Sequence, residues 1–144
     1  EQDRLWTARR SAYGVFAKLA PDIVTEDVTV PVSKVPEMVR AIEAIAKRHD
    51  LTMGVLAHAG DGNMHPLVPA DRKDVDHWGR VELAFKEIFE AAAALGGTLS
   101  GEHGIGIAKS PYLDLFMSRD SIEFMSVIKK AVDPDNLLNP GKFA

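Results

Sequence analysis

The chain has 144 residues, of which 46% are hydrophobic and 26% are charged, a composition typical of a globular domain rather than of a disordered or collagen-like chain. The formal net charge of -4 and the scattered Lys and Arg residues argue against a nucleic-acid-binding protein. Because the chain contains no cysteine, disulfides and iron–sulfur clusters are excluded, and histidine and carboxylate side chains are its strong metal ligands.

The sequence contains neither a membrane span nor a secretion signal. No apolar run approaches the roughly 20 residues that a transmembrane helix needs. The first residues, EQDRLWTARR, carry charges where a signal peptide has an apolar core. These two features predict a cytoplasmic protein.

The first third predicts two helices on either side of a strand. Apolar residues recur at helical spacing over residues 5–19, and Pro21 is predicted to end this helix. The following segment, DIVTEDVTVP, is typical of a strand. Ser33 is the predicted N-cap of a second helix. The apolar stripe of that helix consists of Val35, Met38, Val39, Ile42, Ile45 and Ala46.

The middle third predicts a hairpin and a long helix. Residues 51–59 and 64–68 form two short apolar strands, and Pro69 is predicted to end the second. Asp71 or Asp74 then caps a helix that runs to a glycine pair at 96–97. Its predicted apolar positions are Val81, Leu83, Ala84, Phe85, Ile88, Phe89, Ala92 and Leu95.

The last third predicts a short strand, two helices and an irregular tail. The strand falls in TLSGEHGIG, the helices cover residue 106 or 107 to 117 and residues 121–132, and DPDNLLNPGKF ends regular structure. The complete order, α-β-α-β-β-α-β-α-α, predicts an α+β fold with helices packed on one face of a mostly antiparallel sheet.

The turn between the two hairpin strands carries a histidine on each side, in LAHAGDGNMHP. Residues that face each other across paired strands lie within about 5 Å, so His58 and His65 are candidate ligands of one metal ion. Gly60 and Gly62 permit positive φ and would make the turn tight. An ordinary hairpin turn that two histidines happen to flank is the open alternative.

A second glycine-rich loop, SGEHGIG, supplies a carboxylate and a further histidine. Glu102 would complete a His₂Glu metal set with room for water or substrate. His103 would then be free to accept a proton beside the metal. The loop lacks the glycine spacing of a dinucleotide site and the Lys-Ser/Thr of a P-loop, which argues against phosphate binding.

Three motifs, HAGDGNMHP, SGEHGIGIAK and DPDNLLNPGK, resemble the C-terminal domain of FAD-linked oxidases in their sequence and order. This group contains the glycolate oxidase flavoprotein subunit, D-lactate dehydrogenase and D-2-hydroxyglutarate dehydrogenase. LWTARR and TEDVTVPVSKVPEMV also resemble family stretches, so the similarity covers almost the whole chain. It implies a ferredoxin-like antiparallel sheet with additional C-terminal helices. Residues 1–144 would be a single substrate- and metal-binding domain, and the N-terminal FAD-binding domain is absent from this chain.

The resemblance implies oxidation of a D-2-hydroxy acid, with hydride passing from the α-carbon to FAD and the hydroxyl proton passing to a histidine. It assigns a divalent metal (Zn, Mn or Fe) to His58, His65 and Glu102, proton abstraction to His103, the substrate carboxylate to Arg9, and flavin contacts to Asn139 and Lys142. This chain alone is expected to be inactive.

One departure from the family pattern narrows the substrate. Hydroxyglutarate-type members carry a lysine two residues before the strand aspartate, and Thr25 takes that position if Asp27 is the aspartate. A monocarboxylate such as lactate or glycolate is therefore expected. The implied partners are this small 2-hydroxy acid and a flavin domain of the same or a partner chain. A homodimer, and membrane association through partner subunits, are compatible with the resemblance.

Two other functional interpretations compete with the enzyme. The chain could be a non-catalytic docking or lid domain of a flavoprotein complex, but it carries all four site residues His58, His65, Glu102 and His103. A non-haem iron oxygenase also uses two histidines and a carboxylate. That class needs a many-stranded barrel, which four short strands and five helices do not form.

Overall fold

The computed structural model describes residues 1–142 of the chain. These residues form five α-helices, two 3-10 helices and a four-stranded antiparallel sheet, so the predicted α+β class is confirmed. The α-helices and strands, in chain order, are α1 (Gln2–Phe16), β1 (Asp22–Thr25), β2 (Val28–Thr29), α2 (Val35–Arg48), β3 (Gly54–His58), β4 (Asn63–Ala70), α3 (Val75–Ala94), α4 (Gly106–Lys109) and α5 (Arg119–Val132). The 3-10 helices are Val32–Lys34 and Ser110–Leu115.

Strand β4 is the centre of the sheet. β1 and β2 pair one after the other with one of its edges, and β3 pairs with the opposite edge. The strand predicted within TLSGEHGIG is reduced to a single bridge between Thr98 and Thr29. The spatial order, from this bridge through β1 and β2 to β4 and β3, is the ferredoxin-like arrangement.

Two prolines in β4 explain where the strand predictions were wrong. The predicted strand after Pro21 is divided into β1 and β2, because Pro66 lies opposite Glu26 and has no N–H to donate. The Glu26 amide donates to the Pro66 carbonyl at 3.1 Å, but no bond returns. Pro69 does not end β4, which continues to Ala70. By strand alternation its missing N–H points past the end of β3, where there is no ladder bond to lose.

The hydrophobic core lies between one face of the sheet and helices α2 and α3. The predicted stripe of α2 is confirmed by the buried residues Met38, Ile42 and Ile45. The predicted stripe of α3 is also confirmed, except that Leu83 is 55% exposed. The buried residues of α3 are Val81, Ala84, Phe85, Ile88, Phe89 and Ala92. From β4, Met64, Val68 and Ala70 complete this core.

The helix caps differ in part from the predictions. Asp74 caps α3 as expected, since its side chain accepts a hydrogen bond from the His77 amide at 2.9 Å. Ser33 does not cap α2, because it lies inside the 3-10 helix that precedes it and Lys34 takes the N-cap position.

Two predicted helices end earlier than expected. The helix predicted to reach residue 117 stops at Lys109 and continues as a 3-10 helix, with Pro111 at its start. Proline at this position has no N–H with which to continue the α-helical bonding. The first helix ends at Phe16, not at Pro21.

Helices α1 and α5 contain no buried residue. α1 reaches the face of the sheet opposite to the core, where the Phe16 ring lies so close to Gly54 that an added Cβ would be 2.7 Å from it. α5 exposes large apolar side chains, including Phe124 and Val127. Among residues 1–142, no helix has the length and apolar character that crossing a membrane requires.

Candidate functional site

The face of the sheet opposite to the core carries the two predicted histidine ligands. Side chains alternate along a strand, so Met64 points into the core while His65 points to the opposite face. The register pairs His58 with Asn63 and His65 with Leu56. The two histidines are therefore diagonal neighbours rather than directly opposite, and their ring centroids are 5.5 Å apart.

Glu102 lies among the imidazole rings. Its Oε1 is 3.0 Å from His65 Nε2, 3.5 Å from His58 Nε2 and 3.9 Å from His103 Nε2. One ligand atom each from His58, His65 and Glu102 fall within 4.8 Å of one another. Tetrahedral zinc ligands at about 2.0–2.1 Å from the ion are about 3.3 Å apart, so these three atoms could hold a single divalent ion after moving together by up to about 1.5 Å. The structure thus brings together His58, His65 and the adjacent pair Glu102 and His103, which lie in three separate parts of the sequence.

His103 and Arg9 lie beside this cluster. The His103 ring stacks on that of His65, with centroids 5.0 Å apart and planes inclined by 22°. Arg9 projects from α1, and its Nη2 donates to the Ala57 carbonyl at 3.3 Å, one residue before His58. Both positions are compatible with the predicted roles, base and carboxylate clamp, which stay predictions.

The tail residues Asn139 and Lys142 are not joined to the cluster. Both are exposed, and within residues 1–142 no hydrogen bond or ion pair connects either side chain to the histidines or to Glu102. The Lys142 amide donates to the Asn139 carbonyl at 3.2 Å, which forms a local turn. Their predicted contact with flavin stays a prediction.

The loop that carries Glu102 and His103 is held by Asp27. Its Oδ2 accepts a hydrogen bond from the Ser100 hydroxyl at 2.6 Å. The same oxygen accepts from the amides of Gly101, Glu102 and His103 at 2.9, 2.9 and 2.8 Å. Successive backbone N–H groups around one anion form a nest, which fixes the path of the loop.

Lys109 completes the support from below the loop. Its ammonium donates to the carbonyls of Asp27 at 2.6 Å and Leu99 at 3.1 Å, and it pairs with Glu26 at 3.3 Å. The side chain is only 4% exposed. Neither Asp27 nor Lys109 was assigned a role from the sequence. The available signal was a pair of carboxylates, Glu26 and Asp27, inside a stretch that otherwise alternates like a buried strand.

The surroundings of Asp27, Glu26 and His65 shift the pKa values of these three side chains. Burial acts to raise the pKa of Asp27, but hydrogen bonds from the His103 amide and the Ser100 hydroxyl lower it to about 2. Burial raises the pKa of Glu26 despite the nearby Lys109 ammonium. Burial also lowers the pKa of His65, an effect that the Asp27 and Glu102 carboxylates oppose. A lowered pKa favours the neutral imidazole, which is the form that ligates metals.

Gly62 and Gly101, in the two loops of the cluster, have no room for a side chain. A Cβ at Gly101 would lie 2.4 Å from Thr29 Oγ1 and 2.7 Å from the Asn63 side chain. A Cβ at Gly62, where φ is +76°, would lie 2.0 Å from the Val30 carbonyl oxygen. Gly60 does not adopt the positive φ that the sequence permitted, and a Cβ there would meet nothing within 4 Å.

A cavity of about 370 Å³ lies beside His65, Glu102 and His103. Leu56, Leu67 and Tyr13 supply its other large walls. Tyr13 belongs to α1, so this helix closes one side of the cavity. The side chains of His58, Glu102 and His103 are 45%, 50% and 44% exposed, whereas that of His65 is 10% exposed. The cluster is therefore open on the side away from β4.

Comparison with known proteins agrees with the three motifs. Residues 1–143 match the family described as FAD linked oxidases, C-terminal domain. The chain belongs to this family. The resemblance seen in the sequence is thereby confirmed.

Several named proteins are similar in sequence to this chain over nearly its whole length. It is 49% identical to the glycolate oxidase subunit GlcD of Bacillus subtilis (strain 168) over 96% of the chain and 29% of the relative. It is 36% identical to a probable mitochondrial D-lactate dehydrogenase of Danio rerio over 98% of the chain and 29% of the relative. It is 34% identical to a D-2-hydroxyglutarate dehydrogenase of Stutzerimonas stutzeri (strain A1501) over 96% of the chain and 30% of the relative. The chain therefore spans less than a third of each relative.

Proposed function

We propose that this chain is the substrate- and metal-binding part of a flavin-dependent D-2-hydroxy acid dehydrogenase. The observation that carries the proposal is the convergence of His58, His65 and Glu102 around one point, with His103 stacked beside them. The relatives named as glycolate oxidase subunit and D-lactate dehydrogenase support a hydroxy acid as substrate.

His58, His65 and Glu102 would hold the metal ion, whose contribution is Lewis-acid polarisation of the substrate hydroxyl. A neutral imidazole that is nearly half exposed and adjacent to the ligands can then accept the hydroxyl proton, and His103 has this position. Stacking on His65 keeps the His103 ring within reach of the same point. FAD, when bound, would accept the hydride from the α-carbon. We propose that it is bound mainly by residues outside these 144.

The cavity beside His103 favours a monocarboxylate with a small apolar side chain. Leu56 and Leu67 offer apolar contact, and within residues 1–142 no Lys or Arg lines this cavity. Thr25 also lines it, at the position where hydroxyglutarate-type members carry a lysine. Arg9, whose Nη2 donates to the Ala57 carbonyl of β3, could clamp the single substrate carboxylate through its planar fork.

The flavin side of the active site would lie against the open side of the cluster. His58, Glu102 and His103 are exposed there, and α1 and α5 present apolar side chains such as Trp6 and Phe124 to the surroundings. A flavin domain of the same or a partner chain is the proposed occupant. Asn139 and Lys142 would contact the flavin from the tail.

Metal content tests this proposal. In the natural full-length protein we expect near-stoichiometric Zn, Mn or Fe by elemental analysis, and loss of both the metal and D-lactate or glycolate oxidation after chelation. His65→Ala should lose metal and activity together, because one ligand is removed. His77→Ala is the matched control, since His77 lies half-buried in the first turn of α3, on a different element from the cluster residues.

The outcomes separate the enzyme from the docking domain. A protein that oxidises the hydroxy acid equally well without metal would contradict the metal assignment. A protein in which His65→Ala and His77→Ala behave alike would contradict a functional cluster, and it would favour a non-catalytic docking role.

A further inference from the structure

We propose that Phe16 is a positioning residue: its ring, seated on Gly54, fixes helix α1 along strand β3 and thereby holds the Arg9 guanidinium at the cavity. The consequence for substrate binding rests on the proposed function, because it uses Arg9 as the carboxylate clamp. The seating of α1 on β3 does not depend on that function.

The contact between Phe16 and Gly54 requires that position 54 has no side chain. A Cβ at Gly54 would lie 2.7 Å from Phe16 Cζ and 3.0 Å from Cε2, closer than Cβ atoms approach other carbon atoms. Gly54 is not one of the glycines with positive φ, so its backbone conformation does not call for glycine. What the glycine provides is room for the ring.

Strand alternation puts this contact on the cluster face of the sheet. Gly54 and Leu56 share a face, and Leu56 lines the cavity of the cluster. Gly54 pairs with Leu67, which is another wall of the same cavity. Among residues 1–142, the walls of this cavity do not include Phe16. The effect of its ring on a bound substrate would therefore pass through helix α1.

Two contacts with matching spacing hold α1 on β3. Arg9 Nη2 donates to the Ala57 carbonyl at 3.3 Å, and the Phe16 ring meets Gly54. Arg9 and Phe16 lie two turns apart on one helix face, a distance of about 10.5 Å. Gly54 and Ala57 are separated by about 10 Å of strand. Helix α1 thus runs antiparallel along β3, and a shift at one contact is passed to the other.

The rest of α1 contributes little to its position. The helix contains no buried residue, and Tyr13, which lies between the two contacts and lines the cavity, is 46% exposed. Because helices in proteins are stabilised mainly by packing of an apolar face, the seated ring of Phe16 has a large share in placing this one.

The hydrogen bond of Arg9 does not replace this seat. At 3.3 Å it is longer than the usual value of about 2.9–3.0 Å, and it is exposed. A substrate carboxylate would also compete with the Ala57 carbonyl for the same guanidinium. The apolar contact of Phe16 with Gly54 is unaffected by that competition, so it can hold α1 while Arg9 binds the substrate.

The first test is kinetic and uses the natural full-length enzyme. Gly54→Ala should displace the ring and raise KM for D-lactate or glycolate by about 3–30-fold, since a misplacement of about 1 Å can cost about 10²-fold. Phe16→Ala should act in the same direction, and kcat should change less than KM in both. Gly79→Ala and Val15→Ala are the matched controls. A Cβ at Gly79 meets nothing within 4 Å, and Val15 is 59% exposed beside Phe16.

Two double variants identify the route of the effect. Gly54→Ala combined with Phe16→Ala should have the KM of Phe16→Ala alone, because the added methyl group has no ring to displace. Gly54→Ala combined with Arg9→Ala should raise KM little above that of Arg9→Ala, because the effect passes through the guanidinium. Additive effects in either pair would overturn the inference.

Hydrogen exchange gives a readout that does not depend on activity. The α1 amides of the full-length protein should exchange faster in Gly54→Ala and in Phe16→Ala, whereas the α3 amides should keep their rates. Unchanged exchange of α1 in both variants would overturn the seating. Phe16→Ala changes a helix without buried residues, so it keeps the test decisive if Gly54→Ala fails to fold.

The results also separate this inference from the proposed function. Faster exchange of α1 in both variants of a protein that oxidises neither D-lactate nor glycolate would remove the proposed function and keep the seating of α1. Metal-dependent oxidation with wild-type KM in both Gly54→Ala and Phe16→Ala would keep the proposed function and remove the positioning role of Phe16.

Discussion

The two faces of the sheet use neighbouring residues for different purposes. On the face packed against α2 and α3, β4 contributes Met64 and Val68, which are fully buried among apolar side chains. On the opposite face it contributes His65, which lies beside the exposed side chains of His58 and Glu102. One residue of displacement along a strand therefore changes a side chain from a packing role to a position in the cluster.

The contrast extends to hydrogen bonding. Within residues 1–142, the buried side-chain polar atoms without a partner belong to Thr25, Asp27 and His65, and all three lie on the cluster face. Such unsatisfied groups are costly, so they persist where the surrounding structure supports them. The core face provides that support through apolar burial, and the cluster face can therefore tolerate buried polar atoms without partners.

The comparison predicts that a cluster-face side chain can be removed with a large loss of rate and little loss of stability. His103→Ala should lower kcat of the full-length enzyme by about 10²–10⁴-fold, because general-base catalysis is lost while every proposed ligand remains. Steady-state kinetics and metal content, measured on the same preparation with His77→Ala as control, provide the check.

Unchanged kcat with a filled metal site would remove the base assignment from His103. A parallel fall in metal content would instead show that His103 supports the ligands. Either result would change the role assigned to His103 on the cluster face, and neither would change the packing role of the core face.

The opposite pattern is expected from the core face. Met64→Ala should destabilise the region around β4 by about 2–5 kcal/mol, the usual cost of truncating a large buried apolar side chain. Hydrogen exchange of the β4 and α2 amides in the full-length protein measures this locally. His65→Ala, one residue away, should change that protection by less, and Met64→Ala should retain metal in its folded fraction. Equal protection in the two variants would contradict the division between faces.

Much of the core face was predictable from the sequence. The helical stripe of α2 and most of that of α3 were predicted, because a 3.6-residue apolar period leaves little choice of buried face. Leu83 was predicted as part of the stripe but is exposed. Strand ends were less predictable, because Pro66 interrupts one ladder and Pro69 interrupts none. That difference depends on which edge of β4 each proline faces, and a single sequence does not display it.

The cluster face was predictable in its residues but not in its support. The glycine turns pointed to His58, His65, Glu102 and His103, since chemistry-bearing residues between glycines are conspicuous. Asp27 stood out only through the family resemblance. Its contacts with residues 100–103 span more than seventy positions of sequence, and such separation carries no local signal.

The smallest and most selective effect on the enzyme is expected from substitution of Arg9. Helix α1 touches the cluster face without burying a residue, so substitutions there should alter substrate binding rather than folding. A hydrogen bond to a charged group contributes about 1.5–3 kcal/mol, so Arg9→Ala should raise KM for D-lactate or glycolate by about 10–100-fold. The effect on kcat should be smaller, because a carboxylate clamp acts in the ground and transition states alike.

Arg10→Ala is the matched control, since Arg10 is an exposed neighbour on the same helix with the same charge. Arg9→Lys refines the test, because lysine keeps the charge but loses the planar fork that binds a carboxylate through two bonds. If the fork matters, Arg9→Lys should resemble Arg9→Ala in KM more than it resembles the wild type. Equal KM values for Arg9→Ala and Arg10→Ala would show that only the general positive charge of α1 attracts the substrate. The clamp would then have to come from outside these residues, and α1 would act as a wall of the cavity through Tyr13.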